Sequence, residues 1–132
     1  MRSIAEQIRT IAERSNKKVE TVVRETVFRL GQSIILMTPA DTGRAKANWL
    51  HGIGSYTQQQ LETMDKSGSV SINALSQGVG NLDIGQDFYF TNSLPYAKKL
   101  EDGSSLQAPV GMVRVSVEAL PMVLEQEIQR AK

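Results

Sequence analysis

The fold is decided by residues 3–37, which read SIAEQIRTIAERSNKKVETVVRETVFRLGQSIILM. Apolar side chains recur there mostly at intervals of three, four or seven residues, the spacing of one face of an amphipathic helix. These apolar positions are Ile4, Ile8, Ile11, Val19, Val22, Val23, Val27, Leu30, Ile34 and Met37. Ser15 and Asn16 interrupt the pattern, and both residue types favour helix caps over helix interiors. The stretch therefore predicts either two helices, at 3–14 and 17–37, or one continuous helix.

The choice between one helix and two has a consequence for assembly. A continuous helix of this length would span about 52 Å at ~1.5 Å per residue. A compact domain of this size has a radius of gyration of only ~14 Å. One continuous helix would therefore extend beyond its own domain, and its apolar face would need cover from another subunit. Two helices could fold back on each other and need no partner.

The sequence pattern in the middle of the chain predicts a small sheet. Thr38 precedes Pro39, a position where helices usually end, and Asp41 and Gly43 are turn formers. Arg44 to Gly54 alternates as a strand does, with one face formed by Ala45, Ala47, Trp49, His51 and Ile53. A second strand is predicted from Gln86 to Asn92, which contains strong strand-forming residues. Between the strands we predict a flexible loop at 55–70 and a short helix from Ser71 to Leu82.

The last third predicts short helices and a C-terminal helix. Ser93 and Pro95 are typical of a helix start, so one or two helical turns are expected from Tyr96 to Glu101. A loop follows from Gly103 to Gly111. Met112 to Lys132 has helical spacing with an expected kink at Pro121, although Arg114 to Val117 also alternates as a strand does. The whole chain, 1–132, is expected to form one α+β domain in which the C-terminal helix packs on the small sheet.

Composition excludes several classes of function. The chain has no cysteine, so disulfide frameworks, thiolate zinc sites and thiol nucleophiles are excluded. His51 is the only histidine, which leaves no histidine pair for a metal. We expect no cofactor, no metal and no catalytic residues. The longest strongly apolar run, Ile34 to Met37, is far shorter than the ~18 residues of a membrane span, so we expect no membrane insertion. The N-terminus has no apolar signal core, so we expect no export.

Two other functions were compared with a structural role. Asp41-Thr42-Gly43 matches the triplet of aspartic proteases, in which two copies would pair their carboxylates. That chemistry needs the triplet at the end of a strand in an all-β fold, whereas here it follows a helical stretch, so a turn fixed by the Asp41 side chain is the preferred interpretation. The first 30 residues carry seven basic and four acidic side chains, an excess of +3. This excess would suit a small DNA-binding accessory protein, but the whole chain has a net charge of only +1.

Three blocks of sequence resemble a known family. The first is Thr38-Pro39-Ala40-Asp41-Thr42-Gly43-Arg44, followed by Asn48-Trp49. The second runs from Tyr89 through Asn92, Pro95, Tyr96 and Leu100 to Glu101, and the third runs from Gln107 through Pro109 to Val113. In this order, behind a long N-terminal helix, they are similar to the neck or tail-completion proteins of tailed bacteriophages, of the minor-tail-protein-Z type.

The resemblance implies a structural role in the virion. Such a protein would complete the tail and join it to the DNA-filled head, as part of a ring of about six copies at the neck. Its partners would be further copies of itself and neighbouring neck, tail-terminator or head-completion proteins. DNA would pass through the lumen without specific binding, which suits a nearly neutral subunit. It would be found in the virion neck or tail, and in the host cytoplasm during assembly.

The resemblance also selects the residues of interest, which would serve folding or subunit contacts. They are Thr38, Pro39, Asp41, Thr42, Gly43, Arg44, Trp49, Asn92, Pro95, Tyr96, Leu100, Glu101, Gly103 and Pro109. A tail terminator or a head-side adaptor is the alternative position in the particle.

Overall fold

The computed structural model describes residues 3–102 and 111–132 of the chain. Its longest element is helix α1, Ile4–Met37, which is continuous. Ser3 and Glu6 form a reciprocal capping box at its start, so two N-terminal backbone N–H groups have acceptors. The two-helix alternative with a break at Ser15 and Asn16 is wrong. Serine and asparagine cost a helix interior only about half a kcal/mol each relative to alanine, too little to interrupt a helix anchored along its second half.

The strand predicted for Arg44 to Gly54 is correct only in its second half. Residues Arg44–Ala47 form a single helical turn, α2, and strand β1 covers Leu50–Ile53. Gly43 directs the chain into this turn from a left-handed backbone conformation with φ of +83°. Alternating side chains cannot reveal a turn of four residues whose start depends on one glycine.

The second strand, β2, covers Phe88–Thr91 and lies within the predicted segment. It pairs with β1 in an antiparallel two-stranded sheet, in which Leu50 is opposite Thr91 and Ile53 is opposite Phe88. Between the strands, helix α3 covers Ser69–Gly80, two residues earlier at each end than predicted. The preceding segment, 55–68, lies outside helices and strands but is hydrogen-bonded to the domain.

In the described part of the chain, three helices follow the sheet. Helix α4 covers Ala97–Glu101, α5 covers Met112–Glu118 and α6 covers Leu120–Ala131. The break between α5 and α6 lies at Ala119, just before Pro121, which confirms the predicted kink and rejects the alternative strand at Arg114 to Val117. The loop predicted from Gly103 to Gly111 lies almost wholly outside the described residues, as do Gly103 and Pro109 themselves.

The core forms where the second half of α1 meets the other elements. Its buried members are Ile34, Ile35, Trp49, Leu75, Val79 and Met112. Helices α1 and α3 lie so close together at Gly31 that a Cβ there would overlap the side chain of Leu75. The predicted α+β architecture, with a long N-terminal helix, a small sheet, short helices and a C-terminal helix, is confirmed. The C-terminal helices pack mainly along α1 rather than on the sheet.

Candidate assembly surface

The first motif block, Thr38–Arg44, forms the corner between α1 and the sheet, here called the motif corner. The Thr38 hydroxyl donates to the Ile34 carbonyl at 2.6 Å, and the Trp49 indole Nε1 donates to the same hydroxyl oxygen at 2.8 Å. Both side chains are buried, and the Trp49 ring stacks on Phe90 with centroids 5.1 Å apart. Thr38 therefore links the end of α1, through a buried hydrogen bond, to the residue that directly precedes strand β1.

Glycine is required at position 43 by conformation and by space. Its φ of +83° is unfavourable for residues with a Cβ, and a Cβ there would overlap the backbone between Asp65 and Lys66. The Gly43 carbonyl accepts a hydrogen bond from the Asp65 N–H at 3.0 Å. The motif corner therefore packs directly against the segment that precedes α3, which gives the Asp-Thr-Gly triplet a structural explanation.

The Asp65 side chain caps the N-terminus of helix α3, although Asp65 itself lies before the helix. Its carboxylate accepts hydrogen bonds from the Ser67 hydroxyl at 2.6 Å and from the Val70 backbone N–H at 2.8 Å. These bonds favour the charged form, so the pKa of Asp65 lies below its usual value, with the Ser67 hydroxyl as the largest cause. Sequence reasoning missed Asp65, although an acidic residue followed by serines before a helical pattern is a recognisable start signal.

Arg44 and Asn48 attach the loop that follows the first strand. The Asn48 Nδ2 donates to the carbonyls of Arg44 and Leu61, and its Oδ1 accepts from the Leu61 N–H at 2.7 Å. The Arg44 Nε donates to the same Leu61 carbonyl at 3.1 Å. Asn92, from the second block, donates to the Ala45 carbonyl at 2.8 Å. The second block is thus hydrogen-bonded to Ala45, which lies between the two parts of the first block, although the two blocks are far apart in sequence.

The Glu101 carboxylate, at the end of the second block, is bound to the start of the next helix rather than solvated. The Glu101 side chain accepts hydrogen bonds from the backbone N–H groups of Val113 and Arg114, at 2.7 and 2.9 Å. It therefore caps helix α5 from a residue that precedes the helix by more than ten positions, and so links the second block to the third. The neighbouring Asp102 is exposed.

Several motif residues surround one shallow groove of about 230 Å³ at the motif corner. Its lining is Pro39, Asp41, Thr42, Gly43, Ala45, Tyr96 and Leu100. Pro39 is buried, whereas Asp41, Thr42, Pro95 and Tyr96 are exposed. Asp41 lies in a turn between two helices, not at the end of a strand, so the context that aspartic protease chemistry requires is not the one found here.

A second surface lies at the other end of the molecule. Residues 4–17 of α1, here called the overhang, project beyond the domain, and all of them except Thr10 are exposed. Ile4, Ile8 and Ile11 share one face of the overhang and are 76%, 62% and 63% exposed. These three side chains are here called the stripe. Isoleucine burial stabilises by about 1.5–3 kcal/mol per side chain, so the stripe is a strong candidate for contact with another molecule.

An apolar groove of about 430 Å³ lies between α1 and α6 and is here called the α1–α6 groove. Nearly all of its exposed surface is apolar. It is lined by Val19, Val22 and Val23 of α1 and by Leu124, Ile128 and Ala131 of α6, with Lys18 and Lys132 at one end. Leu124 and Ile128 belong to the helical spacing predicted from Met112 to Lys132, but that pattern does not show which of its members remain exposed.

A buried ion pair fixes α6 in the position that forms this groove. Glu127 is 2% exposed, and its carboxylate lies 3.0 Å from the Arg29 guanidinium of α1 and 3.3 Å from that of Arg130. Arg29 also donates to Gln126 at 2.8 Å. Ser33 and Ser116 share a hydrogen bond of 2.8 Å between α1 and α5. Polar contacts beside the apolar groove therefore link α1 to both α5 and α6.

The part of the chain that the structure describes has no group of three or more histidine, aspartate or glutamate side chains placed to hold a metal ion. None of the described helices combines the length and apolar character needed to cross a membrane. No protein-family model matches the chain, and comparisons with curated proteins and with solved structures find no significant match. The function is therefore inferred from the two surfaces and from the sequence resemblance.

Proposed function

We propose that this chain is a structural subunit of the neck of a tailed bacteriophage, where it completes the tail and joins it to the DNA-filled head as part of a ring. The proposal combines the resemblance of the three sequence blocks with the architecture of α1. The observation that carries it is the overhang: a capped, continuous helix that presents three exposed isoleucines beyond its own domain. The domain does not bury these side chains itself, whereas a neighbouring ring subunit could cover them.

The energetics of the overhang favour a subunit contact. Each stripe isoleucine leaves about two-thirds of its surface exposed, so covering all three would contribute roughly 3–6 kcal/mol per subunit. Isolated helices of this length are marginal in water, yet the overhang begins with a complete capping box. The sequence thus stabilises the helical form of a segment that its own domain does not bury.

The motif residues support the same proposal in a different way. Five motif residues hold the domain together through hydrogen bonds or close packing. They are Thr38, Gly43, Trp49, Asn92 and Glu101. Their contacts are structural, as expected for an assembly protein. The exposed members of the blocks surround the groove at the motif corner, which gives a neck neighbour a second surface to contact.

The test is to locate the protein in assembled particles. Purified tailed particles whose genome encodes this chain should contain it in a small fixed number of copies, and a density map should place those copies in a ring between head and tail. The ring would contact itself and adjacent neck, terminator or head-completion proteins, with DNA in the lumen. Density at the tail terminator or at the head-side adaptor would favour the alternative positions. Absence from particles, with a stable free monomer in the lysate, would contradict the proposal.

A further inference from the structure

We propose that the stripe of one copy of this chain fills the α1–α6 groove of the next copy. The inference rests on the proposed function, because it names the surfaces through which ring subunits would join. Each chain carries both a projecting apolar stripe and a recessed apolar groove, and both lack cover from the residues that the structure describes. A contact between the stripe of one copy and the groove of another covers both at once.

The stripe cannot fill the groove of its own chain. Both lie on the same continuous helix, in which Ile11 precedes Val19 by eight residues. Eight helical residues correspond to about 12 Å along the axis, and a straight helix cannot bring these positions together. A stripe that fills this groove must therefore come from another molecule, and a second copy presents one of matching chemistry.

The area is sufficient for a specific contact. The stripe side chains are 62–76% exposed, and Val19, Val23, Leu124 and Ile128 of the groove are 37–52% exposed. Burying both sets would remove roughly 700 Å² of apolar surface, and an interface about 57% apolar would then total roughly 1,200 Å². Stable interfaces begin at about 1,200 Å², so one contact of this kind lies at the lower bound for each neighbour.

The contact joins two different surfaces, so it is heterologous. Every copy donates one stripe and offers one groove, and each added copy leaves a stripe and a groove for the next. Such contacts close into a ring when the rotation between copies allows it. Pairing of two stripes with each other would instead produce a symmetric dimer with its grooves still empty.

Cysteine cross-linking tests the contact directly, because the natural chain has no cysteine. The variant Ile8→Cys with Leu124→Cys should form a ladder of covalent multimers on mild oxidation. Disulfides need Cα atoms within about 7 Å, and Ile8 lies about 15 Å along the helix from even the nearest groove residue, Lys18, so a bond within one chain is excluded. The control pairs Leu124→Cys with Glu13→Cys, which lies on the opposite side of the overhang, and should give no ladder.

A second comparison measures the strength of the contact without oxidation. Replacing Ile4, Ile8 and Ile11 together by Gln should raise the dissociation constant of subunit association by more than about tenfold, measured by native mass spectrometry over a concentration series. The control replaces Arg9 and Glu13 by Gln, on the opposite face, and should associate as the natural chain does. Far-UV circular dichroism of both variants checks that α1 is retained.

The experiments distinguish a failure of the stripe–groove contact from a failure of the proposed function. Covalent dimers from Ile8→Cys alone, in the same yield as the ladder, would show that stripes pair with each other and would overturn the inference. Assembly of the natural chain with no ladder and no effect of the Gln replacements would also overturn it, while the proposed ring would stand. A natural chain that stays monomeric at every concentration and is absent from particles would overturn the proposed function as well.

Discussion

Replacing Thr38 by Val removes one hydroxyl that serves two buried hydrogen bonds. The variant keeps the shape of the side chain but leaves the Trp49 indole N–H without its acceptor, in a residue that is only 8% exposed. An unsatisfied buried donor costs about 1–3 kcal/mol, and the lost bond to the Ile34 carbonyl costs about 0.5–1.5 kcal/mol more. We therefore expect Thr38→Val to lower the free energy of unfolding by about 1.5–4.5 kcal/mol.

The assay is urea denaturation followed by far-UV circular dichroism at one fixed protein concentration, since association would otherwise alter the apparent stability. Thr38→Ser is the control, because it keeps the hydroxyl and should cost only about 1 kcal/mol for the lost methyl group.

A double-mutant cycle with Trp49→Phe isolates the bond between the two side chains. In the Trp49→Phe background the indole N–H no longer exists, so Thr38→Val should cost about 1–3 kcal/mol less than it does in the natural chain. An equal cost in both backgrounds would refute the reasoning, because the indole would then not depend on Thr38.

Three further changes test the corner and its neighbours. Trp49→Ala should destabilise the domain by about 3–5 kcal/mol in the same denaturation assay, as for other large core truncations; a loss below about 1 kcal/mol would place the ring outside the core. Gly43→Ala should cost about 2–5 kcal/mol, because it combines an unfavourable positive φ with overlap onto the Asp65 backbone, and a neutral effect would show that the corner is not so constrained. Asp65→Ala should lower the melting temperature at pH 7, because the carboxylate caps α3. Because the pKa of Asp65 is lowered in the folded chain, this stabilisation is complete above about pH 4 and is lost as the pH falls further. The difference in melting temperature between the natural chain and Asp65→Ala should therefore be smaller at pH 3 than at pH 7. An equal difference at both pH values would contradict the role of the carboxylate charge.

The helical parts of the fold were predictable because their side chains repeat regularly. The periodicity of residues 3–37 identified α1, and the spacing after Met112 with Pro121 identified α5, α6 and the break between them. The helical turn at Arg44–Ala47 was not predictable from alternation, because it depends on the conformation of Gly43 and on the Asn48 side chain bonding back to Arg44.

The candidate site was predictable only in part. The apolar stripe is visible in the sequence, and the length of α1 already suggested that it would extend beyond the domain. The α1–α6 groove was not visible, because exposed Leu124 and Ile128 follow the same spacing as buried residues. Which of them stay exposed depends on how α6 docks on α1, where Arg29 pairs with Glu127 across the fold.

The most direct test of the neck-ring proposal is a count of copies, with their location, in purified tailed particles whose genome encodes this chain. Quantitative peptide mass spectrometry combined with a density map of the neck would supply both. The proposal predicts a fixed small number of copies, about six, in one ring between head and tail. A particle that contains none, beside a lysate in which the protein is a free monomer, would contradict it.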